Sequence, residues 1–197
     1  MSPTNQELVS ETPDYNRHRD DARVPVIMAL MTADELKKLL RLEPHPREGG
    51  WFAETWRTEE TIPMSALPAR YPADRSAGTA IYYLLEPDNF SELHRLASDE
   101  IFHFYLGDPV EMLQLWPDGS VKTIVLGQDL SAGMQTQVPV PKNIWQGSRL
   151  IPGGRFALLG CTVSPGFDYA DYESGKREIL LEQYPRAAEM IRALTHD

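Results

Sequence analysis

Cysteine is almost missing from this chain: Cys161 is the only one among 197 residues. No intrachain disulfide can form and no cysteine cage for zinc can be built, which fits a reducing compartment and a cytoplasmic protein. Long apolar runs are missing as well. The longest near the start, Val24 to Met31, falls far short of the roughly 20 residues that span a bilayer and follows a polar, charged segment unlike the start of a signal peptide. No export or anchoring signal is expected. Basic charge is scarce too, with 19 Lys and Arg against 29 Asp and Glu and a net charge of −10. That sign repels phosphate backbones and anionic lipid surfaces, so the expected partners include no nucleic acid and no membrane. Internal repeats and low-complexity tracts are also lacking.

What is present suits one hydrophobic core, since 42% of the residues are hydrophobic and the length calls for no second domain. Residues 1–31 are expected to form a flexible arm, because Met1 to Arg23 offers almost no periodic apolar positions to offset ordering entropy. One domain over residues 32–197 should follow. Thr32-Ala-Asp-Glu35 has capping-box spacing and Leu36, Leu39 and Leu40 recur at helical intervals, which predicts a helix over 32–43. Short strand-like pieces separated by turn residues then occupy 51–167: Trp51 to Thr58, Gly78 to Leu85, Ser91 to Leu96, Glu100 to Leu106, Val110 to Trp116, Val121 to Leu126, Thr136 to Val140 and Arg155 to Val163. Pro117-Asp-Gly-Ser120 reads as a tight hairpin. Helical spacing returns over 176–195, with Pro185 placed to open a segment that buries Met190, Ile191 and Leu194. The expected fold is all-β with short flanking helices at both ends.

The residues that could carry chemistry cluster in the middle of the chain. From His94 the sequence reads His-Arg-Leu-Ala-Ser-Asp-Glu-Ile-Phe-His-Phe-Tyr-Leu-Gly to Gly107. Alternate residues of a strand share a face, so His94 and Leu96 face one way, and Glu100 across a turn can converge with His94. His103 has the opposite parity to Glu100, which turns it outward unless a bulge re-aims it toward a ligand. Tyr82 and Tyr83 also face opposite ways; one should line the interior, and Tyr82 is taken as a candidate acid. Trp145 beside Gln146 could wall a flat or sugar-like ligand. Arg57 could balance an anionic ligand, and Glu48 could reach the same pocket. Cys161, between Leu159 and Val163, reads as a small buried hydrophobe. Asp168, Asp171 and Glu173 read as a solvated acidic loop.

The His94 to Gly107 run resembles the first cupin motif, with His94, Glu100 and Gly107 at matching spacing and Leu96 where the motif has its second histidine. Pro141-Lys-Asn143-Ile-Trp-Gln146 resembles the second motif, with Asn for Gly and Gln for His. Closer likeness to the cupin subfamily often called cupin 5 rests on Pro44 to Gly50, Thr79 to Leu85, Val140 to Gln146 and Cys161 to Phe167, with Arg47 lengthening the first of these by a residue. The resemblance implies a cupin double-stranded β-helix, or jelly-roll barrel, commonly dimeric, with a pocket lined by His, Glu and Gln. It also implies a metal site at His94, Glu100 and Gln146. One imidazole, one carboxylate and one amide would hold a divalent Zn, Ni, Mn or Fe ion weakly or not at all.

Two function classes follow. The first is a small-molecule enzyme acting on a polar metabolite, a sugar derivative or a carboxylic acid, with His94, Glu100 and Tyr82 as acid–base groups in isomerase or epimerase-like chemistry. Glu48, Arg57, His103, Trp145 and Gln146 would bind the ligand. Oxygenase chemistry needs more imidazoles around iron than Leu96 leaves. The second class is a binding or storage-like homodimer that holds a small ligand without turning it over.

Overall fold

The computed structural model describes residues 31–196; the expected arm, residues 1–31, lies outside the described residues apart from Met31. Helix α1 (Ala33–Leu40) begins at Thr32, whose side chain accepts from the Glu35 N–H while the Glu35 carboxylate accepts from the Thr32 N–H at 2.8 Å. This is the reciprocal capping box that the sequence predicts. The helix stops earlier than residue 43, because Arg41 takes a left-handed conformation (φ 55°) and the chain enters a strand.

Thirteen strands follow among the described residues: β1 (Glu43–Pro44), β2 (Trp51–Arg57), β3 (Thr61–Ile62), β4 (Arg75–Ser76), β5 (Thr79–Leu85), β6 (Ser91–Leu96), β7 (Asp99–Gly107), β8 (Val110–Leu115), β9 (Val121–Leu126), β10 (Gln137–Val140), β11 (Trp145–Leu150), β12 (Ala157–Ser164) and β13 (Tyr172–Ser174). They form a six-stranded sheet in the order β1-β2-β5-β12-β7-β10, a five-stranded sheet in the order β13-β6-β11-β8-β9, and a β3-β4 ribbon. All of these pairings are antiparallel. The β8-β9 hairpin turns where expected, with the Trp116 N–H donating to the Ser120 carbonyl and the Gly119 N–H to that of Trp116, both at 2.9 Å.

The two large sheets pack face to face. Tyr83, Leu85, Phe102, Phe104, Leu159 and Cys161 from one meet Leu96, Val110, Met112, Leu126, Leu150 and Tyr172 from the other. Alternation along each strand sets which side chains enter this core. The five-stranded sheet is covered on its other face too. Leu93, Leu113 and Leu115 pack beneath Leu180, Tyr184, Ile191 and Leu194 of the C-terminal segment, which comprises α2 (Arg177–Gln183), a 3-10 turn opened by Pro185, and α3 (Ala188–Ala193). This double coverage explains why β6 is buried on both faces and why its apolar Leu93 and polar His94 both sit inside.

Strand β11 is the longest of the strands that the sequence pattern misses, the others being the two- and three-residue β1, β3, β4 and β13. Trp-Gln-Gly-Ser-Arg-Leu has no apolar alternation, and Gly147 in its middle reads as a turn. The glycine is required by close packing: a Cβ there would lie 2.9 Å from the Ser91 carbonyl oxygen and 3.0 Å from the Leu93 nitrogen of β6. Just ahead of this strand, Asn143 occupies the motif's glycine position with φ 64°. Asparagine is one of the few residues with a side chain that tolerates the left-handed turn, so the substitution preserves the corner that launches β11.

Candidate functional site

Between the sheets, at the end nearest the 45–50 turn, lies a cavity of about 310 Å³, large enough for a ligand of monosaccharide size. Its walls come from the 45–50 turn (His45, Glu48), β2 (Phe52, Glu54, Arg57), β5 (Thr79, Ile81), β6 (His94, Leu96), β7 (Glu100), β12 (Cys161, Val163) and the segment after it (Phe167, Asp168, Tyr169).

The floor is a hydrogen-bonded trio. Register places Gln146 of β11 opposite His94 of β6, and its Nε2 lies 2.8 Å from His94 Nε2 and 3.2 Å from Glu100 Oε2. His94 Nδ1 stands 2.7 Å from the Glu92 carbonyl oxygen, which can only accept. The proton therefore belongs on Nδ1, and the Nε2 lone pair accepts from Gln146. The His94 ring stacks on Tyr172, with centroids 4.8 Å apart. Tyr172 and Ser174 of β13 both donate to Glu92 Oε1, at 2.7 and 2.6 Å, which fixes the layer beneath.

Glu100 is the chemically perturbed member. Its Oε1 accepts from the Cys161 thiol and its Oε2 from Gln146. Burial nevertheless raises its pKa from 4.5 to about 7, against the pull of His94 and of these two donors, and with a further push from Glu48. The same burial pushes the Cys161 thiol well above its ordinary value. Cys161 is thus a donor to Glu100 as well as a packing residue, a role its apolar strand gives no sign of.

His45 is the residue that sequence reasoning overlooked. Its Nδ1 accepts the Glu48 backbone N–H at 2.8 Å, so its Nε2 carries the proton. That Nε2 is 4.0 Å from Glu48 Oε2. Burial lowers the His45 pKa below 6.5, which keeps the imidazole neutral near pH 7. The sequence signal nearest to it is the His-Pro turn ahead of Gly49 and Gly50, which says nothing of which way the ring points. Glu48 does line the cavity, with Ser91 donating to its Oε1 at 2.5 Å.

Several expected site residues are placed elsewhere. Tyr82 projects from the opposite face of β5, edge-on to Tyr105 at 6.0 Å, while Tyr83 points inward and donates to the Gly49 carbonyl. His103 keeps its outward parity, because the irregularity in β7 falls after Phe104; it contacts Thr162 Oγ1 at 3.1 Å and Gln137 at 3.3 Å. Trp145 alternates with Gln146 and so lies on the helix-covered face, with the Arg95 guanidinium 4.4 Å from its ring. Arg57 reaches the cavity mouth, but its charge is held by Glu54 at 2.7 and 3.0 Å. The acidic loop is not wholly solvated either: Asp171 is buried against Arg75, and Glu173 pairs with Arg95.

The expected metal set fits poorly. His94 Nε2 and Glu100 Oε2 converge on an N–H donor of Gln146, while the Gln146 oxygen, the atom that could ligate, is buried without a partner. Leu96 supplies alkyl surface where the motif has an imidazole. Among the described residues no group of three His, Cys, Asp or Glu side chains is arranged to hold a metal ion. The trio is built as a hydrogen-bond network.

Comparison with known proteins agrees with this architecture. Residues 34–175 match the family described as Cupin superfamily (DUF985). The chain belongs to this cupin family. Among solved structures, protein SO0799 from Shewanella oneidensis is 36% identical with a TM-score of 0.73, over 85% of this chain and 99% of that one. A hypothetical protein from Leishmania major is 31% identical with a TM-score of 0.76, over 85% of this chain and all of that one. The uncharacterised protein YML079W of Saccharomyces cerevisiae is 33% identical over 141 residues, 67% of this chain and 70% of the relative. The cupin jelly roll expected from the sequence is therefore the fold, and among the described residues no helix is long and apolar enough to cross a membrane.

Proposed function

We propose that this cupin is an enzyme that binds a small polar metabolite between its sheets and moves a proton at a carbon beside a carbonyl, as an isomerase or epimerase does. The observation that carries the proposal is the placement of Glu100, a carboxyl on the cavity wall held by the Cys161 thiol and the Gln146 amide, with burial lifting its pKa to about 7. A base so placed is half ionised at neutral pH and can both take and return a proton. The neutral His45, with its proton on Nε2, can donate a hydrogen bond to the carbonyl oxygen. As Glu100 removes the carbon-bound proton, the electron pair forms the enolate C=C and the carbonyl electrons move to that oxygen. Return of the proton by Glu100 to the neighbouring carbon, as the hydroxyl proton passes to the former carbonyl oxygen and the new C=O forms, completes the isomerisation without an oxidant. His94 acts through Gln146 as a positioning residue, because its free lone pair is already engaged. Tyr82 has no part in this scheme.

Incubating the protein in D2O with glucose, fructose and glucosamine tests this directly by proton NMR. One of these classes is expected to take up solvent deuterium beside the carbonyl. The rate should rise through about pH 7 and fall by about 100-fold or more in Glu100→Gln and His45→Gln. A sugar that shifts the His45 and His94 ring signals but never exchanges would favour the alternative, a binding protein without turnover.

We further propose that the protein is a homodimer. The outer face of the six-stranded sheet leaves Trp56 54% and Ile101 37% exposed beside Tyr82, His103 and Tyr105, an apolar surface of the kind that a second copy covers. Sedimentation at micromolar concentration should give the dimer mass in the wild type and monomer in Ile101→Lys; a wild-type monomer would contradict the proposal.

A further inference from the structure

The charge of the cavity deepens the proposed function and rests on it. Four carboxyl groups line the walls, those of Glu48, Glu54, Glu100 and Asp168, against the guanidinium of Arg57. Arg57 is fully engaged. Its Nε and Nη2 donate to the two Glu54 oxygens at 3.0 and 2.7 Å, its Nη1 to Ser76 Oγ at 3.1 Å, and both Nη atoms to the Phe167 carbonyl at 3.1 and 3.2 Å. Arg47, which does not line the cavity, is engaged as well, lying 5.1 Å from the Tyr169 ring centroid.

Glu48 is different from Glu54. The residue is 8% exposed, and its Oε1 accepts from Ser91. Its Oε2 stands 4.0 Å from the His45 Nε2, beyond hydrogen-bond distance, and the Tyr83 hydroxyl also stands beside this carboxylate. Each carboxylate oxygen carries more than one lone pair, so Glu48 on the cavity wall can still accept from a ligand. The same cavity is lined by Phe52, Phe167 and the His45 ring, with Phe52 meeting His45 edge-on at 4.7 Å and Phe167 meeting Tyr169 at 5.0 Å. Aromatic faces beside a carboxylate attract a cation and penalise an anion, which would be desolvated against like charge.

We infer that the cavity takes a small protonated amine, with its ammonium group donating to Glu48 Oε2 and its apolar body against Phe52 and Phe167. The ligand class narrows accordingly, away from carboxylic acids and toward amino-bearing compounds such as amino sugars.

Three probes of one shape separate the possibilities: cyclohexylammonium, cyclohexanol and cyclohexanecarboxylate, titrated into the full-length protein at neutral pH while the His45 and His94 ring signals are followed by NMR. Cyclohexylammonium is expected to bind about tenfold or more tighter than the carboxylate, with the alcohol between. Glu48→Gln should remove that preference, weakening cyclohexylammonium about tenfold and cyclohexanol far less. Glu54→Gln releases Arg57 and should strengthen carboxylate binding, which keeps the idea testable if the Glu48 variant folds poorly. Carboxylate binding as tight as ammonium binding in the wild type would overturn the charge assignment and leave the cavity as a ligand site. No shift with any probe would overturn both.

Discussion

Glu100→Gln is expected to make this protein more stable at about pH 8, by ~2 kcal/mol, while abolishing any proton transfer in the cavity. The carboxyl has two environments. In the unfolded chain it titrates near 4.5; in the folded cavity burial lifts it to about 7. Below the lower value both states hold the proton and the carboxyl costs the fold nothing. Between 4.5 and about 7 the unfolded state releases the proton first, so unfolding becomes more favourable and stability falls as pH rises. By the top of that window the loss amounts to about 3 kcal/mol, at ~1.4 kcal/mol for each tenfold change in proton affinity between the two states. Glutamine never ionises and escapes this loss. It sacrifices about 1 kcal/mol of its own, because it offers one acceptor oxygen to the two donors, Cys161 and Gln146, that Glu100 satisfies with two. At ~2–4 °C per kcal/mol for a chain of this size, the melting temperature should rise by about 4–8 °C at pH 8 and change little or fall slightly at about pH 4. Equal changes in melting temperature at the two pH values would sink the assignment of Glu100 as the raised group. A carboxylate kept in an unfavourable place is the usual mark of a residue retained for chemistry.

The barrel and half of its floor are legible in the sequence, through periodicity and motif position. Glu100 lies on β7, which alternates cleanly as far as Phe104, so its inward direction follows from parity, as does the outward direction of His103, whereas β6 is buried on both faces and the direction of His94 is legible through its motif position. Gln146 is reachable only through motif resemblance, since its own strand has no apolar pattern and depends on Gly147 fitting against β6. Tyr82 and Tyr83 expose the limit of parity: within Thr79-Ala-Ile-Tyr-Tyr-Leu-Leu85 apolar side chains fall on both faces, so the pattern cannot say which face is inside, and only the partner strands decide. His45 and Asp171 lie in turns, where no period exists. Their burial depends on contacts between segments distant in sequence, His45 with Tyr83 and Tyr169, and Asp171 with Arg75.

That last contact supports the second large effect. Arg75 of the β3-β4 ribbon donates through Nε and Nη2 to Asp171 at 2.8 and 2.7 Å, and through Nη1 to the Ala73 and Asp74 carbonyls at 3.1 and 2.9 Å. Both side chains are 2% exposed, and the Arg75 guanidinium lies 5.5 Å from the Tyr71 ring. The pair ties the ribbon to the short turn after β12 that carries Asp168 and Tyr169 into the cavity wall, adding to the Gly166 N–H bond to the Ser76 carbonyl at 2.8 Å. Asp171→Ala leaves a buried guanidinium without its counterion, and a loss of about 3 kcal/mol is expected, equivalent to ~6–12 °C in melting temperature. The pair's own net worth is smaller, because two charges were desolvated to form it. Arg75→Met combined with Asp171→Leu should therefore recover most of the loss. The cavity distinguishes a latch from a merely stabilising pair. In the fully folded single variant, with this tie to the turn removed, affinity for cyclohexylammonium should fall severalfold, and it should stay low in the double variant even as stability returns. Stability and affinity recovering together would show that the pair only supports the fold; stability lost and affinity kept would show that the Tyr169 wall is held by its own contacts with Phe167 and His45.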